Sequence, residues 1–543
     1  MNCLLQKEYY KIEMKYFILH LLFLALGIKS VAQVSQEPPR LVVGIVVDGL
    51  QQKHIDILWN YFNPGGFKQI ISKGASTPLT YNIVSAGNAS DIANIMTGTT
   101  PYYNGIAGNS YYNRKEYEMK SILFDPNQTG IGTKDSYSAH NLLSSNLMDE
   151  LSLAFPNKTK CYAIGINAED AMMMGGHTAK GVAWIDDIAQ KWVGSAYYSN
   201  GLPAQADKMN ENGEFRSYVN RNWSPMYAIN TYLNPADKED KKFGFLYYPS
   251  ARKNKNFPNT LLKNTPWANS LVADLAIKII NEEQLGMGTV TDMLMLQFTV
   301  KTPNEKKTAM QSAENEDIYL RLDKDIESIV HKIESKIGLD KSLFFIVSTQ
   351  SDQHTPSEFG ENKIPSGYFN AHRSISLLSN YLVAVYGQER WIDGYYGKNI
   401  YLNKQRIEAK KVNFRDMQQT VANFMLEFEG IQSAYTSSQL FNITGNGNSE
   451  MLKLQNSINK KNAGDVIITL LPGWLEVDDK NIPVGDSNAL TTHTPFYLYG
   501  WQISPKKLTS NHQTIDIAPT LSKILNIAAP NACIGKSMDD LIR

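Results

Sequence analysis

Residues 41–47, Leu41-Val42-Val43-Gly44-Ile45-Val46-Val47, form an unbroken apolar run that ends on Asp48 and Gly49. Continuous rather than alternating apolarity predicts a strand covered on both faces, as in a parallel sheet. Four more runs read the same way, at 160–166, 292–298, 343–348 and 495–500. Between the last of these strands and the first lie helical patterns. In 316–336, for instance, Ile318, Leu322, Ile326, Val330 and Ile333 recur at helical spacing. Such an alternation predicts an α/β fold: a doubly covered, mostly parallel sheet. Asp48 then stands at the C-terminal end of its strand, where sheets of this kind place their ligands.

Some forty residues later, Asn88-Ala89-Ser90-Asp91-Ile92-Ala93-Asn94-Ile95-Met96-Thr97-Gly98 predicts a helix entered from a loop, with an N-terminus able to hold an anion. Ser90-Asp91 fits an N-cap of that helix, and Thr97-Gly98 its end. Two regions break the pattern. Residues 185–265 are rich in Asn, Tyr, Trp and Pro and read as an insertion over the mouth of the site. Their aromatics, Trp192, Tyr197, Tyr198, Trp223 and Tyr227, serve either as an interaction surface or as the small core of a lid, and the pattern leaves both open. Residues 385–480 read as a second, smaller α+β insertion, with Asp465–Leu470 as a strand.

Composition narrows the classes. A chain of 543 residues, 43% hydrophobic, can bury a large core. Its 53 Lys and Arg balance 53 Asp and Glu, so no basic footprint points to nucleic acid. Met14-Lys15, the apolar stretch 16–28 and the small residues Ser30-Val31-Ala32 predict a secretory signal peptide over 1–32, best read from Met14. The remaining chain, 33–543, has no run of membrane length. Export to the periplasm or the medium is therefore expected. Cys161 and Cys533 lie after the cleavage point; that compartment permits a disulfide, and two separate thiols is the simpler reading.

The segments LVVGIVVDGL (41–50), GGFKQIISKGA (65–75), MTG…P…NGIAGN (96–109), GGHTA (175–179), DIYLRLDKDI (317–326), KIPSGYFN (363–370), THTPFYLYG (492–500) and IDIAPTLSKILNI…PNACIGK (515–536), in this order, resemble the alkaline phosphatase superfamily. The resemblance is to its type I phosphodiesterase/nucleotide pyrophosphatase-like, secreted phosphate-irrepressible phosphatase branch, and it extends over nearly all of the chain after residue 38.

That resemblance implies two zinc ions clamping the attacking and leaving oxygens of an in-line displacement. It also implies a degenerate site. Asp48 and His493 stand at ligand positions. Asn88 takes the place of the Thr or Ser nucleophile, however, and Gln350-Ser351 replaces an Asp-His pair. The other lost ligand positions fall on Thr302 and Lys306. Asn167 and Glu169 replace a Lys and an Arg that read phosphate, while Asn109 keeps a phosphate-side amide. His177 reads as architectural. Too few donors remain to seat metal, so no cofactor is expected, and Lys306 is the candidate ammonium to neutralise Asp48. The expectation is an exported pseudoenzyme with a binding or scaffold role, toward a cell-envelope protein or a small ligand. The alternative is an active, zinc-dependent phosphomonoesterase or phosphodiesterase rebuilt on Asp48, His493, Asp352 and His354.

Overall fold

The computed structural model describes residues 37–233, 262–301, 312–350, 356–361, 363–442, 450–480, 484, 493–509 and 511–542. Its largest sheet contains β1 (Leu41–Asp48), β2 (Ala75–Thr80), β3 (Cys161–Gly165), β4 (Gly181–Asp186), β5 (Lys191–Ser195), β6 (Asp292–Thr299) and β7 (Ser342–Ser348). The smaller satellite sheet contains β8 (Ile392–Tyr396), β9 (Asn399–Leu402), β10 (Ile431–Thr436) and β11 (Val466–Leu470), and β12 (His493–Gly500) returns to the first. The large sheet runs β2-β12-β7-β1-β6-β3-β4-β5. Its centre, β7-β1-β6-β3-β4, is parallel, whereas β12, β2 and β5 join antiparallel.

Each β1 residue is buried, and its side chains divide by parity, as the pleat demands. Leu41, Val43, Ile45 and Val47 enter one core; Val42 and Val46 enter the other. Helices α1 (Asn88–Thr97) and α2 (Ala168–Gly175) cover the second face; α3 (Pro266–Glu282) and α4 (Ala313–Lys336) cover the first. The amphipathic stripe read in 316–336 belongs to α4, with Ile318, Leu322, Ile326, Val330 and Ile333 all buried.

Two expectations change here. Within 185–265, Lys191–Ser195 adds strand β5 to the main sheet instead of lying over the site. Trp192 and Trp223 are buried in the core on the α3/α4 face, so they present no surface to a partner. Only Tyr227 of the five aromatics is exposed, at 38%. The satellite also begins before 385: helix α5 (Ala371–Tyr386) and helix α6 (Phe414–Met425) pack their Leu378, Leu382, Met417 and Val421 on the sheet β8-β9-β11-β10. Arg114 reaches from the main body to Asp465 at the start of β11 (2.9 Å), and the backbone N–H of Val84 donates to Ser457 Oγ (2.7 Å). These bonds fix the satellite beside the loop that leads into α1.

Candidate functional site

The parallel register brings three strand tips together. Asp48 ends β1 opposite Thr299 of β6, and Val47 lies opposite Ser348 of β7. Two residues past Thr299, Lys301 turns back, and its ammonium lies 2.9 Å from Asp48 Oδ1. From the other neighbour, Thr349 donates its hydroxyl to the same oxygen (2.8 Å). Gly49, with φ +86, makes the turn that lets Lys301 approach: a Cβ there would lie 3.0 Å from Lys301 Cγ. Among the described residues, the cation beside Asp48 is Lys301. Lys306, the residue the sequence nominated, lies outside the described residues, as do Thr302, Ser351, Asp352 and His354.

Asn88 opens α1, as the sequence predicts, but the helix cap differs from expectation. Ser90 donates its hydroxyl back to the carbonyl of Gly87 (2.8 Å), and the N–H of Ala89 is met by Asn109 Oδ1 (2.9 Å). The reason is the conformation of Gly87, φ +128, which brings Asn109 against the helix start. A Cβ on Gly87 would lie 2.4 Å from Asn109 Oδ1. Gly87→Ala should therefore cost about 1–2 kcal/mol through strain and a displaced cap, seen as a lower denaturation midpoint.

Near Asn88 lies Asp170, a residue the sequence motifs did not single out. Asn167 Nδ2 donates to its carboxyl at 3.1 Å, and the Asn88 side chain lies near enough to favour its ionised form. Burial, then the neighbouring Asp48 and Glu169, push the Asp170 carboxyl up to about 8. At neutral pH it is a carboxylic acid, able to donate as well as accept. Asn167 is also met by Lys263, whose ammonium donates to Asn167 Oδ1 (3.2 Å). One cation therefore stands beside the lost phosphate-binding positions, brought from the residues just before α3.

Asp91 does not cap α1. Its carboxylate accepts the backbone N–H (2.7 Å) and the side-chain amide (3.1 Å) of Gln350. Tyr81, whose hydroxyl donates to the carbonyl of Ser348 (2.7 Å), is pushed well above its ordinary range by burial and by Asp91 and Asp48. His493 is exposed at the start of β12, paired with Thr80 of β2, whose hydroxyl lies 3.3 Å from its Nδ1. With β7 between β12 and β1, strand spacing alone puts it roughly 10 Å to the side of Asp48. Among the described residues no three of His, Cys, Asp and Glu gather to hold a metal ion. His177 hydrogen-bonds Tyr197 and the carbonyl of Ser144, an architectural position. Cys161 and Cys533 are free thiols.

A match to the type I phosphodiesterase / nucleotide pyrophosphatase family runs over residues 42–496. The chain belongs to that family. It is a member of the alkaline phosphatase superfamily. Two relatives span almost the whole chain. A protein named calcium-transporting ATPase from Myroides odoratus is 28% identical over 94% of this chain and 96% of its own length. Alkaline phosphatase PhoV of Synechococcus elongatus is 27% identical over 93% of each chain. The crystal structure of alkaline phosphatase PafA superposes with a TM-score of 0.85 at 24% identity, covering 94% of this chain and 100% of that one, and shows the shared fold. Within the superfamily frame, the tip of β1 carries Asp48 with Lys301, and the first turns of α1 and α2 carry Asn88 and Asp170. No helix among the described residues is long and apolar enough to cross a membrane.

Proposed function

We propose that this phosphodiesterase-family chain is an exported pseudoenzyme: the fold is kept, phosphoester hydrolysis is lost, and the old cleft serves in binding. The observation that carries the reading is the Lys301–Asp48 ion pair. Asp48 is a family metal-ligand position, and an ammonium at 2.9 Å stands where a divalent cation would have to approach it. The other retained ligand position is also engaged, His493 by Thr80. Metal affinity needs several deprotonated ligands set in advance around one point, and this donor set does not fit a pair of zinc ions. Asn88 has no hydroxyl to form a phosphoryl-enzyme. The carboxylate of Glu169 adds repulsion toward a phosphate dianion. Export rests on the segment 1–32, which carries a charged start, an apolar centre and a small-residue end.

A second reading draws on Lys263. Its ammonium beside Asn167 returns one positive charge to the phosphate side. With Asp352 and His354, it would make a rebuilt hydrolase of phosphate esters, the activity class of its phosphatase relatives. One experiment separates the two: zinc content of the purified full chain, and turnover of p-nitrophenyl phosphate and bis-p-nitrophenyl phosphate. The pseudoenzyme reading expects substoichiometric zinc and no rate above buffer. Stoichiometric zinc with turnover that Asp48→Asn abolishes would establish the hydrolase instead.

A further inference from the structure

Helix α5 turns Leu378 and Leu382 into the core of the satellite. Its sequence is apolar well beyond that one side: in 375–386 only Ser376, Ser379 and Asn380 are polar. A helix that is apolar all round is ordinarily one that is covered all round. Here the second side is bare. Leu377, Tyr381 and Val385 recur along it at every fourth residue and are 45%, 37% and 50% exposed. No other described helix carries three exposed large apolar side chains. Helix α4 shows the usual pattern instead, with Lys324, His331 and Glu334 on its exposed side.

The charges around this stripe are sorted by end. Between Arg373 and Glu389 the chain carries no charged side chain, the depletion typical of an interface centre. Helix α6 lies beside α5 and runs the opposite way. Tyr381 stacks on Phe424 (4.3 Å between centroids), and the Tyr386 hydroxyl meets that of Thr420, earlier in α6 (2.9 Å). The start of α5 therefore shares one end of the layer with the residues just past α6. At that end His372 touches Asp479 (3.1 Å), and Glu427, Glu429, Asp478 and Asp479 outnumber Arg373 and Lys480. At the other end Lys410 lies 3.0 Å from Glu389 and Arg406 3.8 Å from it. There Arg406, Lys410, Lys411 and Arg415 outnumber Glu389 and Asp416, while Arg390 and Glu408 cancel. One end is acidic on balance and the other basic.

A surface with an uncharged apolar middle and ends of opposite sign complements itself when turned end for end. We propose that the outer face of α5 and α6 is a self-association surface, on which a second copy of this chain docks about a two-fold axis near Tyr381. That axis lays the two α5 helices antiparallel, as an isologous contact requires. Leu377 then faces Val385 of the partner subunit, Tyr381 faces Tyr381 of the partner subunit, and each acidic end meets a basic one. The area is just sufficient. Helix α5 has 16 residues, about 24 Å, and two helices side by side are about 20 Å wide. Two such faces cover about 1,000 Å², the lower limit for a specific contact, so the dimer is a weak one. The inference goes beyond the pseudoenzyme reading and does not depend on it, because it uses no residue of the strand tips.

The test is sedimentation equilibrium of the full chain, with circular dichroism to show that each variant is folded. A monomer–dimer equilibrium is expected, with a Kd on the order of 1–100 μM. Tyr381→Glu sets two carboxylates against each other at the axis and should weaken association by about tenfold or more. Leu377→Glu, which leaves the Tyr381–Phe424 stack in place, should do the same. Ile188→Glu changes an 80%-exposed apolar residue in the turn between β4 and β5 and should leave association unchanged. A chain still monomeric at about 500 μM would overturn the proposal. So would dimers that survive both α5 variants, dimers that Ile188→Glu weakens equally, or open-ended assemblies in place of a closed pair.

Discussion

Lys301→Met should destabilise the chain by about 2–3 kcal/mol, with the loss read as a lower midpoint in denaturant at constant slope. Methionine keeps most of the aliphatic length of lysine and removes its charge. What remains is the Asp48 carboxylate, whose side chain is 11% exposed, with the Thr349 hydroxyl as a donor and the Asp170 carboxyl close by. Removing one member of a fully buried pair costs about 3–5 kcal/mol because the other charge is stranded. Here the Lys301 side chain is 40% exposed, so water reaches the pair and part of that cost is screened. The control is Asp48→Asn combined with Lys301→Met. If the pair is responsible, the double variant should recover most of the loss, giving a coupling of about 1–3 kcal/mol. Additive single effects would mean that the lysine acts through packing of its stem.

The second large effect concerns Asp170 and pH. In the unfolded chain its carboxyl releases its proton near pH 4, whereas in the fold it holds the proton up to about 8. Between those values the native state binds more protons than the unfolded one, so stability falls as pH rises through this window and levels off above it. Asp325, pushed up to about 8, and Asp323, to about 6, both chiefly by burial, act in the same direction. Asp170→Asn keeps the shape and removes the titration. It should raise stability by on the order of 2–4 kcal/mol at about pH 9 and change it little near pH 4. Thermal unfolding of both proteins across that range reads the result. Parallel pH profiles would show that Asp170 is ionised in the native state.

The parallel centre of the sheet could be read directly from residues. Strands covered on both sides are written as continuous apolar runs, and 41–47, 160–166, 292–298 and 343–348 coincide with β1, β3, β6 and β7 to within a residue at either end. Of the antiparallel strands, β12 followed this rule through 495–500, whereas the margins β2 and β5 escaped it. Ala75–Thr80 carries Pro78 and alternates buried with partly exposed residues, and Lys191–Ser195 mixes lysine with glycine and serine. Neither has the composition of a central strand. Position 88 was found because a helix start has local punctuation. Lys301 was not, because its partner is set by register: the Asp48–Thr299 pairing between β1 and β6 decides which side chain two residues on can swing back. Asp170 sits one place past Glu169, and nothing in its neighbours reveals that the site would bury it. The same holds for Arg114 and Asp465, which lie 351 residues apart in the chain and meet only through the docking of the satellite.

The tether that delivers Lys301 has one more consequence. A counter-ion carried on the backbone is present once per molecule from the moment of synthesis, and its effective concentration at Asp48 does not vary with the surroundings. On the pseudoenzyme proposal, a chelator should therefore leave the melting temperature of the chain unchanged. At that corner, the Asp48 carboxylate is neutralised by the polypeptide itself.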